Sequence, residues 1–448
     1  MNEKSGLPTS KAARLFKLGS LSSVVSASYL GQKVKGLFTA PADMADSLRR
    51  AHVRNAERMA KTFGELKGAV MKVGQMASLQ FDFLPPEMAA ILSRLQKDAP
   101  PVEFPALDKV LQTELSAGQR TLIRHIDPVP YASASIGQVH RAQLTDGRQI
   151  ALKIQYPGVD SMVDSDLATL RRVFGIMAKF FPEVNIDPFF DEIRDRLREE
   201  LDYQNEANNM NEFRGGFADD PRIIIPNVVP QLSTTRILAT ELVEGGHLRD
   251  LEATATDQDV RNAIGETIVS SFLRQFCAFR TVQVDPNLSN FAYRPPNTLI
   301  MYDFGCVKRF PPRFVLGYLL LTRHILRGEL SRVSRACQVI GITQAGGGPL
   351  NAELFTQFCI KALEPFLSDK VFDFRSMDVV SEVVQMGAKN YPETMGFVVP
   401  QDEVFFHRVL GGMFVNLRSI HARVNVHRLL TPYLADISYP EEITAQAI

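Results

Sequence analysis

Apolar residues at Met59, Phe63, Leu66, Val70, Val73 and Ala77 recur at spacings of four and three. That rhythm predicts a helical region over 43–82 with one apolar stripe, stopped by Phe83-Leu84-Pro85-Pro86. A short helix is expected near Glu87–Leu95, a break at Asp98-Ala-Pro-Pro101, and a third helix over Ala106–Leu115. The pattern then changes. Leu122–His125, Ile136–Leu144 and Gln149–Gln155 read as strands, and Thr145-Asp-Gly-Arg148 carries the Asp-Gly signal of a hairpin turn. One long helix is predicted from about Pro188 to Phe213, then strands over Ile223–Val229 and Arg236–Glu241, then a loop at Glu244-Gly-Gly246. The remainder is mostly helical, with helices over 313–327, 351–366, 376–388 and 402–424. Two segments of strand and loop character, Val282–Tyr293 and Thr298–Val307, interrupt it. No internal repeat or low-complexity segment is visible.

Composition narrows the class. The 448 residues are 45% hydrophobic and 22% charged, enough apolar material for a sizeable core. At about 150 residues per domain the length fits three domains, or two lobes with extensions. Lys+Arg and Asp+Glu both number 50, and this zero net charge argues against a nucleic-acid partner. Cys277, Cys306, Cys337 and Cys359 are widely spaced, without a CxxC, so neither a zinc site nor a disulfide framework is expected. No apolar run reaches 18 residues and no secretory signal is seen; Phe314–Leu326, which contains Tyr318, Thr322, Arg323 and His324, reads as a buried helix. Residues 1–36 differ from the rest. Lys4, Lys11, Arg14, Lys17, Lys33 and Lys35 stand against Glu3 alone, a net +5, around the small apolar stretch Leu18–Leu30. This segment reads either as a solvated tail or as a weak membrane-surface segment.

The chemistry begins at Asp303-Phe304-Gly305, which follows the apolar strand Leu299–Met301. A carboxylate there could hold Mg²⁺ on nucleotide phosphates, although the tripeptide alone is often only a turn. Upstream, Asp285-Pro-Asn-Leu-Ser-Asn290 sets an Asp and an Asn five apart, as in a kinase-type catalytic loop. Asp285 would orient a nucleophile or accept its proton; Asn290 and Asp303 would ligate the metal. Ala151-Leu152-Lys153-Ile154 fits the strand whose lysine contacts phosphate. Glu206, in Asp202-Tyr-Gln-Asn-Glu206, is its natural helix partner, with Glu199, Glu200 and Asp202 as further carboxylates. Where a protein kinase carries a Gly-rich phosphate loop, this chain has Ala132-Ser133-Ala134-Ser135-Ile136-Gly137-Gln138. A Cβ limits how closely that backbone can approach phosphate, which suggests altered nucleotide handling. Glu241 and Val243 join this nucleotide-contacting set. Lys72-Val-Gly-Gln75 places Lys72 and Gln75 on one helical face; by itself it reads as a packing contact. Gly346-Gly-Gly348 lacks a following Lys-Ser or Lys-Thr and reads as a surface loop, and His140, His247, His407, His421 and His427 show no ligand spacing.

Together these motifs resemble the UbiB family of atypical kinase-like proteins, linked to ubiquinone biosynthesis. The Lys-x-Gly-Gln and Glu-x-Asp elements, here Lys72–Gln75 and Glu200-Leu-Asp202, mark that family and are absent from ordinary protein kinases. Gln283-Val-Asp285-Pro-Asn-Leu-Ser-Asn290-Phe is more similar to the branch of mitochondrial members than to the bacterial branch with a His-Ala-Asp-Pro-His form. The resemblance implies an α+β, two-lobed protein-kinase-like fold with an N-terminal helical extension and a helical C-lobe. The expected divisions are 1–40, the basic segment; 41–118, the extension; 119–242, the N-lobe; and 243–448, the C-lobe. It also implies ATP and Mg²⁺ bound between the lobes, with Lys72 and Gln75 facing Glu200 and Asp202 over the place where a protein kinase binds its peptide.

Independently, Pro311-Pro312 and a new helix follow Gly305 almost at once, and no Ala-Pro-Glu appears, so a peptide-docking platform looks missing. The expected activity is that of an ATPase or small-molecule kinase supporting ubiquinone biosynthesis at a membrane face. A protein kinase acting in trans and a nucleotide-binding scaffold are the alternatives. Expected partners are ATP and ADP, membrane lipids or quinone precursors, and other quinone-biosynthesis proteins. The expected location is the cytoplasm, peripheral to the inner membrane.

Overall fold

The computed structural model describes residues 102–134, 136–160, 187–253, 257–344, 352–389, 397–435 and 437–439, with single residues and pairs between 20 and 171. The helices expected over 43–82 and 87–95, the basic segment 1–36 and the 346–348 loop lie outside the described residues, isolated positions apart. The chain divides into two compact units. One takes residues up to Ala207 with Val228–Leu242; the other takes Asn208–Asn227 with Val243 onward.

The first unit is built on a five-stranded antiparallel sheet. Its strands are β1 (Ile123–Ile126), β2 (Ala132–Ser133), β3 (Gly137–Leu144), β4 (Gln149–Gln155) and β6 (Ile237–Glu241). The order is β1-β3-β4-β6, with β2 paired to β3. The β3–β4 turn forms where the Asp-Gly signal places it: Gly147 takes φ +92° and Asp146 accepts from the Arg148 N–H at 3.0 Å. Alternation along β4 sends Ile150, Leu152 and Ile154 into the core, where they share one cluster with Leu107, Val110 and Leu111 of helix α1 (Phe104–Glu114). Burial of each such aliphatic side chain contributes about 1.5–3 kcal/mol. Ala151 and Lys153 fall on the opposite face of the sheet.

The long helix expected over 188–213 is two helices, α2 (Asp187–Glu200) and α3 (Tyr203–Gly216). The break has a tertiary cause. Buried Gln155 on β4 donates to the Leu201 carbonyl at 2.6 Å and to the Thr235 carbonyl at 3.2 Å, and the Tyr203 N–H donates to Thr235 at 3.0 Å. Asp202 then starts α3, accepting from the Gln204 and Asn205 N–H groups.

The second unit holds a four-stranded sheet of order β5-β10-β9-β7, from β5 (Ile223–Ile224), β7 (Gly246–His247), β9 (Phe291–Arg294) and β10 (Thr298–Met301). The expected strand Ile223–Val229 shrinks to its first two residues, and the end of the expected 244–246 loop instead pairs, Gly246 against Tyr293. A further pair joins β8 (Thr281–Gln283) to β11 (Val307–Arg309). Around these lie helices α4 (Gln258–Leu273), α5 (Pro312–Leu326), α6 (Val333–Ile340), α7 (Ala352–Ala362), α8 (Val379–Lys389) and α9 (Gln401–Ser419). The helix expected over 351–366 ends at Ala362, and a separate turn, Glu364–Leu367, begins beside Pro365. That expected over 402–424 ends at Ser419, just before His421 takes φ +52°. The core is aromatic. The rings of Phe276, Phe314, Tyr318 and Phe406 pack at centroid distances of 4.1–6.4 Å. Among the described residues no helix is long and apolar enough to cross a membrane.

Candidate functional site

In the first unit, the strand period that buries Leu152 also turns Lys153 to the other face. There its Nζ lies 2.8 Å from both carboxylate oxygens of Glu206, in the first turn of α3. The Lys153 side chain is 15% exposed and that of Glu206 2%, so this is a nearly buried, charge-assisted pair. Nζ also lies 4.8 Å from the centroid of the Tyr203 ring. Beside it, Ala132 and Ser133 form β2, and the Ala134 N–H donates to the Gly137 carbonyl at 2.9 Å. Ile136 is buried and its carbonyl accepts from the Tyr156 N–H. At Gly137 a Cβ would come 2.3 Å from the Ile154 carbonyl oxygen, so β3 can lie this close to the strand of Lys153 only with glycine there. Glu200 is the last residue of α2, Asp202 caps α3, and Glu241 ends β6 opposite Ile150. Ser135, Lys72 and Gln75 lie outside the described residues.

In the second unit, the pairing of β8 with β11 draws the 285–290 loop and the Asp-Phe-Gly segment together. The Val284 N–H donates to the Cys306 carbonyl and the Tyr302 N–H to the Asn290 carbonyl, both at 3.0 Å. Asn290 thereby sits beside the residue preceding Asp303. The Asn290 side-chain amide donates at 3.1 Å to the Asp285 backbone carbonyl and to its Oδ2. Asp303 Oδ1 accepts from the Gly305 N–H at 3.0 Å. Phe304 is fully buried, its ring 4.9 Å from that of Phe213 and its carbonyl accepting from Asn209. Val243 accepts at its carbonyl from the Tyr302 hydroxyl at 2.8 Å.

Several residues that hold this arrangement carry no local motif. Buried Gln275 accepts from the Gln283 N–H at 3.0 Å, and Gln283 donates at 2.7 Å to the Asp285 carbonyl. From α9, Asn416 donates to the Pro286 carbonyl at 2.8 Å, and Arg408 Nη2 stands 3.6 Å from Asp285 Oδ1. Their signal is an eight-residue spacing, two turns apart on one helix face, visible only once the partner loop is known. Burial pushes the Cys277 and Cys337 thiols up to about 12, so neither reads as a reactive nucleophile.

Among the described residues no group of three or more His, Cys, Asp or Glu side chains could hold a metal. Asn290 and Asp303 supply two hard oxygen donors, and Mg²⁺ typically takes one or two protein oxygens, with substrate phosphates completing its shell. With the Asn290 amide nitrogen committed to Asp285, its carbonyl oxygen is the end left to serve a cation, so the donor set fits Mg²⁺ held jointly with a nucleotide.

Comparison with known proteins gives the family and the fold. Residues 94–337 match the ABC1 atypical kinase-like domain. The chain is 30% identical over 443 residues to the mitochondrial atypical kinase COQ8 of Saccharomyces cerevisiae, covering 97% of this chain and 86% of the yeast protein. It is 28% identical to the mitochondrial atypical kinase COQ8B of Danio rerio, covering 94% of this chain and 68% of that one. A solved structure of Rv3197 with erythromycin, from Mycobacterium tuberculosis, aligns at a TM-score of 0.63 and 25% identity, over 90% of this chain and 100% of that one. The fold is atypical protein-kinase-like, of mixed helix and sheet.

Proposed function

The chain belongs to the ABC1 family of atypical kinase-like proteins, which includes the UbiB and COQ8 proteins, and from that premise we propose that it is an ATPase or small-molecule kinase supporting ubiquinone biosynthesis at a membrane face. The observation that carries this reading is the backbone bond from Tyr302, the residue before Asp303, to Asn290, whose side chain in turn bonds Asp285. In this reading Lys153, oriented by Glu206, contacts nucleotide phosphate, while Asn290 and Asp303 hold Mg²⁺ and Asp285 orients the attacking group. Mg²⁺ supplies neutralisation of phosphate charge. Ala132, Ser133, Ala134, Ser135, Ile136 and Gly137, with Glu241 and Val243, border the nucleotide. By analogy with the family, Lys72 and Gln75 would face Glu200 and Asp202 over the region where a protein kinase holds its peptide. Partners would be lipids or quinone precursors and other quinone-biosynthesis proteins, and the place a peripheral one at an inner membrane.

The short connection after Gly305 favours a small acceptor over a protein. Strand β11 and Pro311 follow at once, so a peptide would find little surface to dock on. The test is Mg-ATP turnover by the purified full chain, with and without anionic liposomes and quinone-precursor-like phenols, for wild type and Asp303→Asn. Turnover stimulated by lipid or phenol and lost in Asp303→Asn is expected. Failure of the wild type to bind or hydrolyse ATP in any of these mixtures would overturn the reading. Phosphate transfer to a protein, lost on Asp285→Asn, would instead favour a protein kinase. Full restoration of quinone synthesis by Lys153→Ala and Asp303→Asn variants would favour a scaffold.

A further inference from the structure

Helix α9 presents three residues at four-residue spacing, Arg408, Gly412 and Asn416, to the start of the 285–290 loop. Asn416 fixes the Pro286 carbonyl at 2.8 Å. Gly412 lies so close to Pro286 that a Cβ would come 2.1 Å from the proline Cγ. Arg408, whose side chain is 16% exposed, points its guanidinium at Asp285 Oδ1 across 3.6 Å. That is ion-pair distance and too long for a hydrogen bond. The two carboxylate oxygens of Asp285 are therefore treated differently. Oδ2 is hydrogen-bonded by Asn290, while Oδ1 faces a positive charge that does not occupy it. The buried Nε of Arg408 finds no hydrogen-bond partner among the described residues, so leaving the guanidinium here forgoes a bond. The same helix also grips the chain beyond Asp-Phe-Gly, because Asp402 pairs with Lys308 at 2.7 Å.

We propose that Arg408 is a positioning residue for Asp285: it keeps the carboxylate turned so that Oδ1 faces the hydroxyl or water of the attacking group, with Gly412 and Asn416 as the seat of the loop. The proposal rests on the assignment of Asp285 made above. It assigns the role to a side chain more than 110 residues away in sequence, on a helix that carries no kinase motif.

The test uses the full-length protein with Arg408→Gln, Arg408→Lys and, as a control on the same helix, Arg418→Gln. Arg418 pairs with Asp378 at 2.9 Å, away from the loop. Two readouts are needed. In turnover, Arg408→Gln is expected to lower kcat at least tenfold while KM for ATP stays within twofold. Arg408→Lys should recover part of kcat, and Arg418→Gln should match wild type. In hydrogen exchange, Arg408→Gln should speed exchange of the amides of 284–291 and leave α4 and α5 unchanged.

The proposal is overturned if kcat and loop exchange in Arg408→Gln both match wild type. It is equally overturned if exchange rises uniformly across the second unit, since Arg408 would then only support the fold. If wild type turns over no ATP, the function proposed above fails, while the loop-exchange comparison still decides whether Arg408 holds Asp285 in place. Gly412→Ala gives a second route to the same loop: displacing Pro286 should lower kcat with KM for ATP held, and an unchanged kcat there speaks against the seat.

Discussion

Lys153 Nζ is equidistant, at 2.8 Å, from the two carboxylate oxygens of Glu206, and the carboxylate is almost wholly buried. Lys153→Met removes the charge-assisted bond to a nearly buried carboxylate and should destabilise the first unit by about 1.5–3 kcal/mol. Lys153→Met with Glu206→Gln should be less destabilised than the single variant, since the carboxylate's charge is gone, while ATP turnover stays lost. Urea denaturation and turnover of the two variants, side by side, separate the structural from the chemical role of the pair.

Gly137→Ala places a methyl group within 2.3 Å of the Ile154 carbonyl and 2.9 Å of the Tyr203 hydroxyl. Neither β3 nor β4 can yield without shifting the register that orients Lys153. Overpacking of this kind costs about 1–3 kcal/mol. The expected outcome is a lower Tm and weaker nucleotide binding together, measured by thermal unfolding and by titration with Mg-ADP. Nucleotide affinity equal to wild type would show that the strand spacing is not transmitted to Lys153.

In the relay from Gln275 through Gln283 to the Asp285 carbonyl both glutamines are buried, so a lost bond between them has no water to replace it. Gln275→Leu leaves the Gln283 N–H without its acceptor, a loss of about 1–3 kcal/mol. Turnover should fall further than this instability explains, because the Asp285 carbonyl is the end of the relay. Chemical denaturation and kcat at a temperature where the variant is fully folded check this.

A pH dependence follows from α9. Burial raises the Glu403 carboxyl above its ordinary range; its Oε2 finds no hydrogen-bond partner among the described residues, although the Tyr318 hydroxyl donates to Oε1 and His407 lies 3.3 Å away. The folded chain thus holds this proton more tightly than the unfolded chain does. Above the ordinary glutamate range the folded state binds more protons, so stability is full in acid and falls as pH rises through the raised value. Glu403→Gln cannot ionise and should lose that slope. Its stability relative to wild type should grow as pH rises above the ordinary glutamate value of about 4.3, read from denaturation midpoints at successive pH values. A constant difference would mean that Glu403 does not titrate there.

Legibility in the sequence followed range. Lys153 could be placed on a strand, and its face assigned, from the alternation of Ile150, Leu152 and Ile154. The loop 285–290 and Asp303 were readable because the residues that define them are close along the chain. The interruption at Leu201–Asp202 was not, because its cause is Gln155 and Thr235, which local propensity does not see. Arg408, Gly412 and Asn416 were invisible for the same reason: a helical face has meaning only once the surface it meets is known. The truncated strand at Ile223–Ile224 and the paired Gly246 belong to this class too, since sheet edges are settled by partners.

The connection between Gly305 and Pro312 has one more consequence. Its residues, Cys306-Val-Lys-Arg-Phe-Pro311, include no serine, threonine or tyrosine, and β11 is hydrogen-bonded to β8. A kinase switched on by phosphorylation needs a hydroxyl in this stretch and a segment free to reorder around it. Residues 306–311 therefore offer neither the hydroxyl nor the loose segment that such a switch uses.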